Sequence, residues 1–395
     1  MISRIPVKKI GSIYLDYAAT APPDPRVLDA ITPFVSEYYG NPSSLHGPGR
    51  KARHAVEDAR ERVAACLGTD PGEVIFTSGG TEADNMALMS VSGSGGYSGL
   101  ITSESEHEAV RQTAIYLKEQ GVDVTIVDPD GQGGVDADSI KRHLGAEKPF
   151  VSVMLVNNET GAFNQISEIS RAVHESGGVI HTDAVQAGPY YDLKELAAQV
   201  DFMTLSGHKM GGPKGIGVLY ARSGLPIDPI LHGGSQERKR RPGTENVPAI
   251  VGFSKALEIS QAEHVENARR VRGLRDLLRS LLEDSLGDGI RVTTPNASAP
   301  HILHVLVLDQ DGCGVDGEML ILGLDLEGVY VSSGSACTSG ALEPSHVLSA
   351  MGISSSLAKG AIRFSLGRET NEDEIVQASK RICTVVSRVS AGIVA

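Results

Sequence analysis

The chain has 395 residues, 41% hydrophobic and 22% charged, which is enough apolar content to bury a sizeable core and sets a soft expectation of about two domains. With 36 Lys and Arg against 49 Asp and Glu the formal net charge is −13, which argues against a global basic field for gripping nucleic acid or an anionic membrane. Its four cysteines are far apart with no Cys-x-x-Cys pair, so a disulfide scaffold, a zinc ribbon and a clustered iron–sulfur site all lack support.

The first ten residues carry charges where a signal peptide needs its apolar core. No run approaches the roughly 20 apolar residues of a membrane span, so the expectation is a cytoplasmic protein. Apolar residues recur at helical spacing over 24–39 and, most clearly, over 48–68, where Ala52, Ala55, Val56, Ala59, Val63 and Leu67 share one face. From there strand-like runs at 73–77, 100–102, 122–127, 150–156, 179–182 and 202–205 alternate with helical patterns at 82–91, 107–120, 136–145 and 165–176. That rhythm predicts a parallel sheet covered by helices on both faces. The low-complexity patch at 92–99 reads as a surface loop.

After about residue 245 the rhythm changes. A long helical region at 246–285 is followed by strands at 290–293 and 301–308, a helix at 316–325, strands at 329–332 and 361–366, and a final helix at 371–389. This half reads as a second, smaller α+β domain. The division expected is a large domain over 13–262 and a small one built from 1–12 and 263–395. There is no internal repeat.

Gly312-Cys-Gly-Val-Asp-Gly317 matches a dinucleotide fingerprint between a strand and a helix, but the acidic residue expected about 20 positions on is missing. It reads better as a glycine-bearing turn. A better phosphate cradle is Thr77-Ser-Gly-Gly-Thr-Glu-Ala-Asp84, which follows a strand and opens a helix. Gly79 and Gly80 let backbone N–H groups approach an anion, although a helix start capped by Thr81 explains the segment equally well. Asp183 falls just past the carboxyl end of a predicted strand, where it suits a metal ligand, a base, a partner for a cationic ring nitrogen or a helix cap. Lys209 follows the next strand among glycines, a setting in which a desolvated lysine becomes an amine nucleophile. Lys214 competes with it, although its Gly-Pro-Lys-Gly surroundings look like a turn.

A phosphate cradle, a nucleophilic lysine and an acid for a pyridine nitrogen together describe pyridoxal phosphate. At this point the chain resembles the NifS/IscS-type cysteine desulfurases, in the class V aminotransferase group of fold-type I pyridoxal-phosphate enzymes. The resemblance runs from Tyr14-Leu-Asp-Tyr-Ala-Ala-Thr20 to Ile362-Arg-Phe-Ser-Leu-Gly-Arg368. In between lie Gly40-Asn-Pro-Ser-Ser-Leu-His46, Glu106-His-Glu-Ala-Val110, Val156-Asn-Asn-Glu-Thr-Gly161, Ser206-Gly-His-Lys209, Arg241-Pro-Gly-Thr-Glu-Asn246 and Gly334-Ser-Ala-Cys-Thr-Ser-Gly340, in family order. It implies an α/β fold with a mainly parallel seven-stranded sheet between helices.

The resemblance also implies roles. Lys209 would bind the cofactor covalently, Asp183 would pair with its ring nitrogen, Gln186 would meet its phenolic oxygen and His107 would stack on its ring. Gly80, Thr81, Ser206 and His208 would hold the phosphate, with Thr244 reaching in from a second subunit of a homodimer. Asn158 and Arg363 would bind substrate, the guanidinium taking a carboxylate. Cys337, in a loop over about 332–345, would be the nucleophile that receives sulfur from L-cysteine as L-alanine is released. Cys66, Cys313 and Cys383 read as a helix-stripe neighbour, a turn residue and a terminal-helix residue.

A sulfur-acceptor protein would then take the persulfide, whether an iron–sulfur scaffold, a thiolation relay or DNA-sulfur machinery. The long form of the Cys337 loop resembles the NifS/IscS-like subgroup rather than selenocysteine lyases. Two departures stand out: Ser235 replaces a frequent glycine, and the chain ends soon after its last predicted helix. An aminotransferase or lyase on the same fold, a nicotinamide dehydrogenase and a cofactor-free sulfur carrier remain open. The run Glu237-Arg-Lys-Arg-Arg241 reads as a solvated face, a dimer-interface loop or, less simply, a nucleic-acid contact.

Overall fold

The structure is a computed structural model and describes residues 11–145, 147–333 and 345–391. A two-residue strand, β1 (Ile13–Tyr14), leads to helix α1 (Pro25–Ser36), which starts where the Asp24 carboxylate accepts the Arg26 N–H and proline fills the first turn. Helix α2 (Gly47–Leu67) buries Ala52, Val56, Ala59, Val63 and Leu67 and ends on Gly68 in the left-handed conformation.

Strand and helix then alternate: β2 (Val74–Thr77), α3 (Gly80–Met89), β3 (Leu100–Ser103), α4 (Glu108–Glu119), β4 (Val124–Val127) and α5 (Ala137–Lys141). The run continues with β5 (Phe150–Ser152), α6 (Ile166–Glu175), β6 (Val179–Asp183), α7 (Leu193–Gln199), β7 (Phe202–Ser206) and β8 (Gly217–Ala221). These strands form one sheet in the order β2-β8-β7-β6-β5-β3-β4. Residues of β5, β6, β7 and β8 are all buried, as expected of strands covered on both faces.

The sheet is seven-stranded and mainly parallel, as expected; β8, which lies outside the expected strand runs, is antiparallel to both β2 and β7. The short β1 and α7 were also missed. The expected strand over 150–156 stops at Ser152, and the chain beyond it makes only a single bridge, Val156 to Phe163.

The rest of the chain is carried by the 40-residue helix α8 (Val247–Leu286), capped by Asn246. Then come β9 (Ile290–Val292), β10 (Ile302–Val307), α9 (Gly317–Leu326), β11 (Val329–Tyr330), α10 (His346–Ala350), α11 (Ser355–Ala358), β12 (Ala361–Ser365) and α12 (Glu372–Ser390). Strands β12, β10 and β9 form an antiparallel sheet, while β11 pairs in parallel with β1. Early α8 residues such as Phe253 and Leu257 join the core beneath the large sheet. Later ones, Val271, Leu278 and Leu282, join a separate core with β10, β12 and α12. Among the described residues no helix is long and apolar enough to cross a membrane.

The basic run also behaves differently from a solvated face. Glu237 is buried and its carboxylate accepts from Arg60 and from the Phe76 N–H, while Arg241 donates to Glu82. Arg238 and Lys239 remain exposed.

Candidate active site

Two neighbouring strands supply the centre. β6 ends at Asp183 and β7 at Ser206, so both side chains stand at the carboxyl edge of the sheet, where α/β proteins open a crevice. A single 3-10 turn, Gly207–Lys209, follows β7 directly. Gly207 suits the tight space there, since a Cβ would lie 3.0 Å from both Ile216 Cγ2 and the Pro213 carbonyl oxygen. Lys209 Nζ donates to the carbonyls of Ala18 at 2.6 Å and Ala19 at 2.9 Å.

Helix α3 opens beside it on Gly79, with no side-chain cap; Thr81 lies inside the helix, so the reading of Thr81 as its cap is corrected. At Gly80 a Cβ would meet Val185 Cγ2 at 2.9 Å. The helix start therefore packs against the segment that follows Asp183. On the other side His107 caps α4, its Nδ1 accepting the Ala109 N–H at 3.1 Å.

These residues surround a cavity of about 320 Å³. Gly80, Thr81, His107, Asn158, Asp183 and Gln186 are among the residues that line it, as are Ser206, His208, Lys209 and Arg363. Lys214 is exposed and stands off this cavity, which leaves Lys209 as its only lysine among the described residues. Thr244 is exposed in the loop before α8 and does not line it. Cys337 lies outside the described residues.

Burial sets the electrostatics. It raises the Asp183 carboxyl above the usual range, against the pull of His107, the Val185 N–H and Lys209. Burial lowers His107, with Asp183 opposing the shift, and pushes His208 down to about 4 with help from Lys209 and Lys214. Arg363, on β12, is 2% exposed; it donates to the Asn158 carbonyl at 2.7 Å and to Asp16 at 2.9 Å.

Several site residues escaped the sequence. Asp84 is buried on the cavity wall, its Oδ1 3.5 Å from His181 Nε2, and burial with neighbouring Asp183 raises its carboxyl well above the usual range. Glu106 is buried and accepts the Met154 N–H at 2.9 Å. Glu159 accepts from Ser345 at 2.6 Å, and His346 donates from Nε2 to the Glu106 carbonyl at 2.9 Å. Nothing in a single sequence separates these from ordinary surface carboxylates. Glu106 and Glu159 did fall inside segments that carried the resemblance.

The model of the class-V aminotransferases matches residues 13–377. The chain belongs to the class-V aminotransferase family. Within it, the cysteine desulfurase IscS of Dictyoglomus turgidum is 42% identical over 92% of this chain and 91% of that relative. A solved NifS-like protein is 37% identical with a TM-score of 0.86, covering 95% of this chain and 99% of its own. The structure of SspA in complex with cysteine is 31% identical with a TM-score of 0.78, covering 90% and 98%. This places the class-V chain in the NifS/IscS-type cysteine desulfurase branch, with the fold-type I architecture expected from its motifs.

Class-V aminotransferases use pyridoxal phosphate, and the cavity suits it. A helix start with no side chain at Gly80, flanked by Ser206 and His208, matches a phosphate dianion. A buried carboxyl at Asp183 matches a ring nitrogen, and Lys209 supplies an amine in the same space. The volume is that of a small-molecule site.

Proposed function

We propose that this cysteine desulfurase converts L-cysteine to L-alanine by placing the sulfur on Cys337. The observation that carries the reading is the convergence of Lys209, Asp183 and Arg363 on one cavity of about 320 Å³. Gly80, Thr81, Ser206 and His208 would hold the cofactor phosphate, and Lys209 would hold its aldehyde carbon. Asp183 would pair with the ring nitrogen, Gln186 would donate to the phenolic oxygen and His107 would cover the ring. Bound pyridoxal phosphate supplies the electron sink that makes the substrate's carbons acidic.

The residues of this chain do the rest. Arg363, with Asn158 beside it, orients the substrate carboxylate. Lys209 Nζ moves the substrate α-proton. The Cys337 thiolate then attacks the substrate sulfur: an S–S bond forms as the C–S bond breaks, and the carbon keeps the electron pair and is protonated to give alanine. The persulfide passes to an acceptor protein, an iron–sulfur scaffold or a thiolation relay. We place the enzyme in the cytoplasm as a homodimer in which Thr244 of one copy faces the cofactor of the other. Its large and small domains would divide near residue 262, inside α8.

Mass spectrometry of the purified enzyme after cysteine addition tests this. One added sulfur on the peptide containing Cys337 is expected. In Cys337→Ser the yellow cofactor should remain and alanine formation should be lost. An unmodified Cys337 during turnover overturns the reading.

A further inference from the structure

His301 immediately precedes β10 and is 1% exposed. Its ring stacks on Tyr190, with centroids 4.3 Å apart and planes 17° from parallel. Its Nε2 lies 3.3 Å from Oε1 of Gln186.

The other end of that amide is fixed independently. Gln186 Nε2 donates to the Ala18 carbonyl at 2.9 Å. A carbonyl only accepts, so the amide nitrogen must face Ala18 and the amide oxygen must face His301. An amide oxygen opposite Nε2 requires a proton on Nε2. His301 is therefore the Nε2–H tautomer, and its Nδ1 is a bare acceptor with no partner among the described residues.

Charge agrees with this assignment. The ring is buried, and the cations facing it are Arg363, Arg275 and Lys209; together they push its pKa to about 3. It is neutral throughout the working range, with one donor, and that donor is spent on Gln186. The Ala18 carbonyl that holds Gln186 also accepts from Lys209 Nζ at 2.6 Å. One backbone oxygen thus ties Lys209 and Gln186 together, and the second hydrogen on Gln186 Nε2 is left over for the cavity that Gln186 lines.

We infer that His301 is a positioning residue that locks the Gln186 amide so that its remaining N–H is presented to the phenolic oxygen of pyridoxal phosphate. The inference rests on the cofactor assignment above. Without the His301 donor, Oε1 is buried unpaired and the amide loses its outer anchor. A donor at the phenolic oxygen favours the anion there, so losing it changes the proton equilibrium that the cofactor reports in visible light.

The test uses His301→Phe, which keeps an aromatic ring for Tyr190 but has no donor, and His301→Asn, which restores one. Each loaded enzyme is titrated with pH while the visible absorption band is followed, and thermal unfolding confirms the fold. In His301→Phe the midpoint is expected to move by about one pH unit, the size of one hydrogen bond. His301→Asn is expected to recover at least half of that shift. If His301→Phe does not fold, His301→Ala is read in the same way. A wild-type midpoint in the donor-less variant overturns the inference, as does a shift that His301→Asn fails to reduce. Wild-type protein that takes up no pyridoxal phosphate overturns the cofactor assignment itself, a failure visible before any variant is made.

Discussion

Arg363 and Asp16 are paired at 2.9 Å although 347 residues separate them. Asp16 occupies one terminal nitrogen of the guanidinium and the Asn158 carbonyl occupies the other, while Nε has no partner among the described residues. The guanidinium is thus held in a fixed orientation at the cavity wall, as its proposed role toward a substrate carboxylate requires. Arg363→Lys keeps the charge and loses the fork, so the KM for cysteine should rise on the order of tenfold with a smaller change in kcat. Steady-state alanine production measures both.

Asp84 bears on stability. Its folded carboxyl is raised by burial and by Asp183, so the unfolded chain loses this proton first as pH rises. Stability is therefore lost between the ordinary carboxylate range and the raised value. Asp84→Asn removes that loss. Its thermal midpoint should match wild type near pH 4 and exceed it at pH 8, and a steeper fall with pH in the variant would contradict the assignment.

Gly80→Ala separates cofactor affinity from folding. Alanine is the better helix former, so α3 itself should not suffer. The new Cβ would press on Val185 Cγ2 at 2.9 Å, on the side of the helix start that faces the cavity. Cofactor affinity, read by fluorescence titration, should fall about tenfold or more while the thermal midpoint of the cofactor-free protein moves little.

Arg60 and Glu237 form a buried two-pronged pair at 2.6 and 2.9 Å, and the same carboxylate accepts the Phe76 N–H at 3.0 Å. Burial works against the Arg60 charge, but Glu237 more than offsets it and the pKa is raised. Glu237→Ala leaves the Phe76 N–H without its acceptor and leaves buried Arg60 with only Glu57 at 3.2 Å and the Val74 carbonyl at 2.8 Å. Urea unfolding should show a loss of about 3–5 kcal/mol, the usual cost of breaking such a pair from one side.

The legible parts of the chain were those that local pattern marks. The stripe of α2, the alternation from β2 to β7, and the placement of Gly80, Asp183 and Lys209 at or shortly after the carboxyl ends of strands all follow from spacing. Strand β8 was hidden because it emerges from a glycine-rich turn and its direction depends on neighbours far away in sequence. Asp84, Glu159 and His301 were hidden for another reason. Their sequence neighbours say nothing of burial, and burial is what separates them from solvated polar residues. Asp16 sits in a recognised segment, but its partner is fixed only by the pairing of the first strand with the last third of the chain.

That pairing has a consequence for synthesis. Residues 18, 80, 183, 206 and 209 all leave the ribosome in the first 209 positions, and Lys209 finds its carbonyl acceptors among residues already made. Arg363 and the Ser365 hydroxyl that receives the Ala18 N–H come more than 150 residues later. A nascent chain therefore owns the groups proposed to hold the cofactor well before it owns the guanidinium proposed to select a substrate.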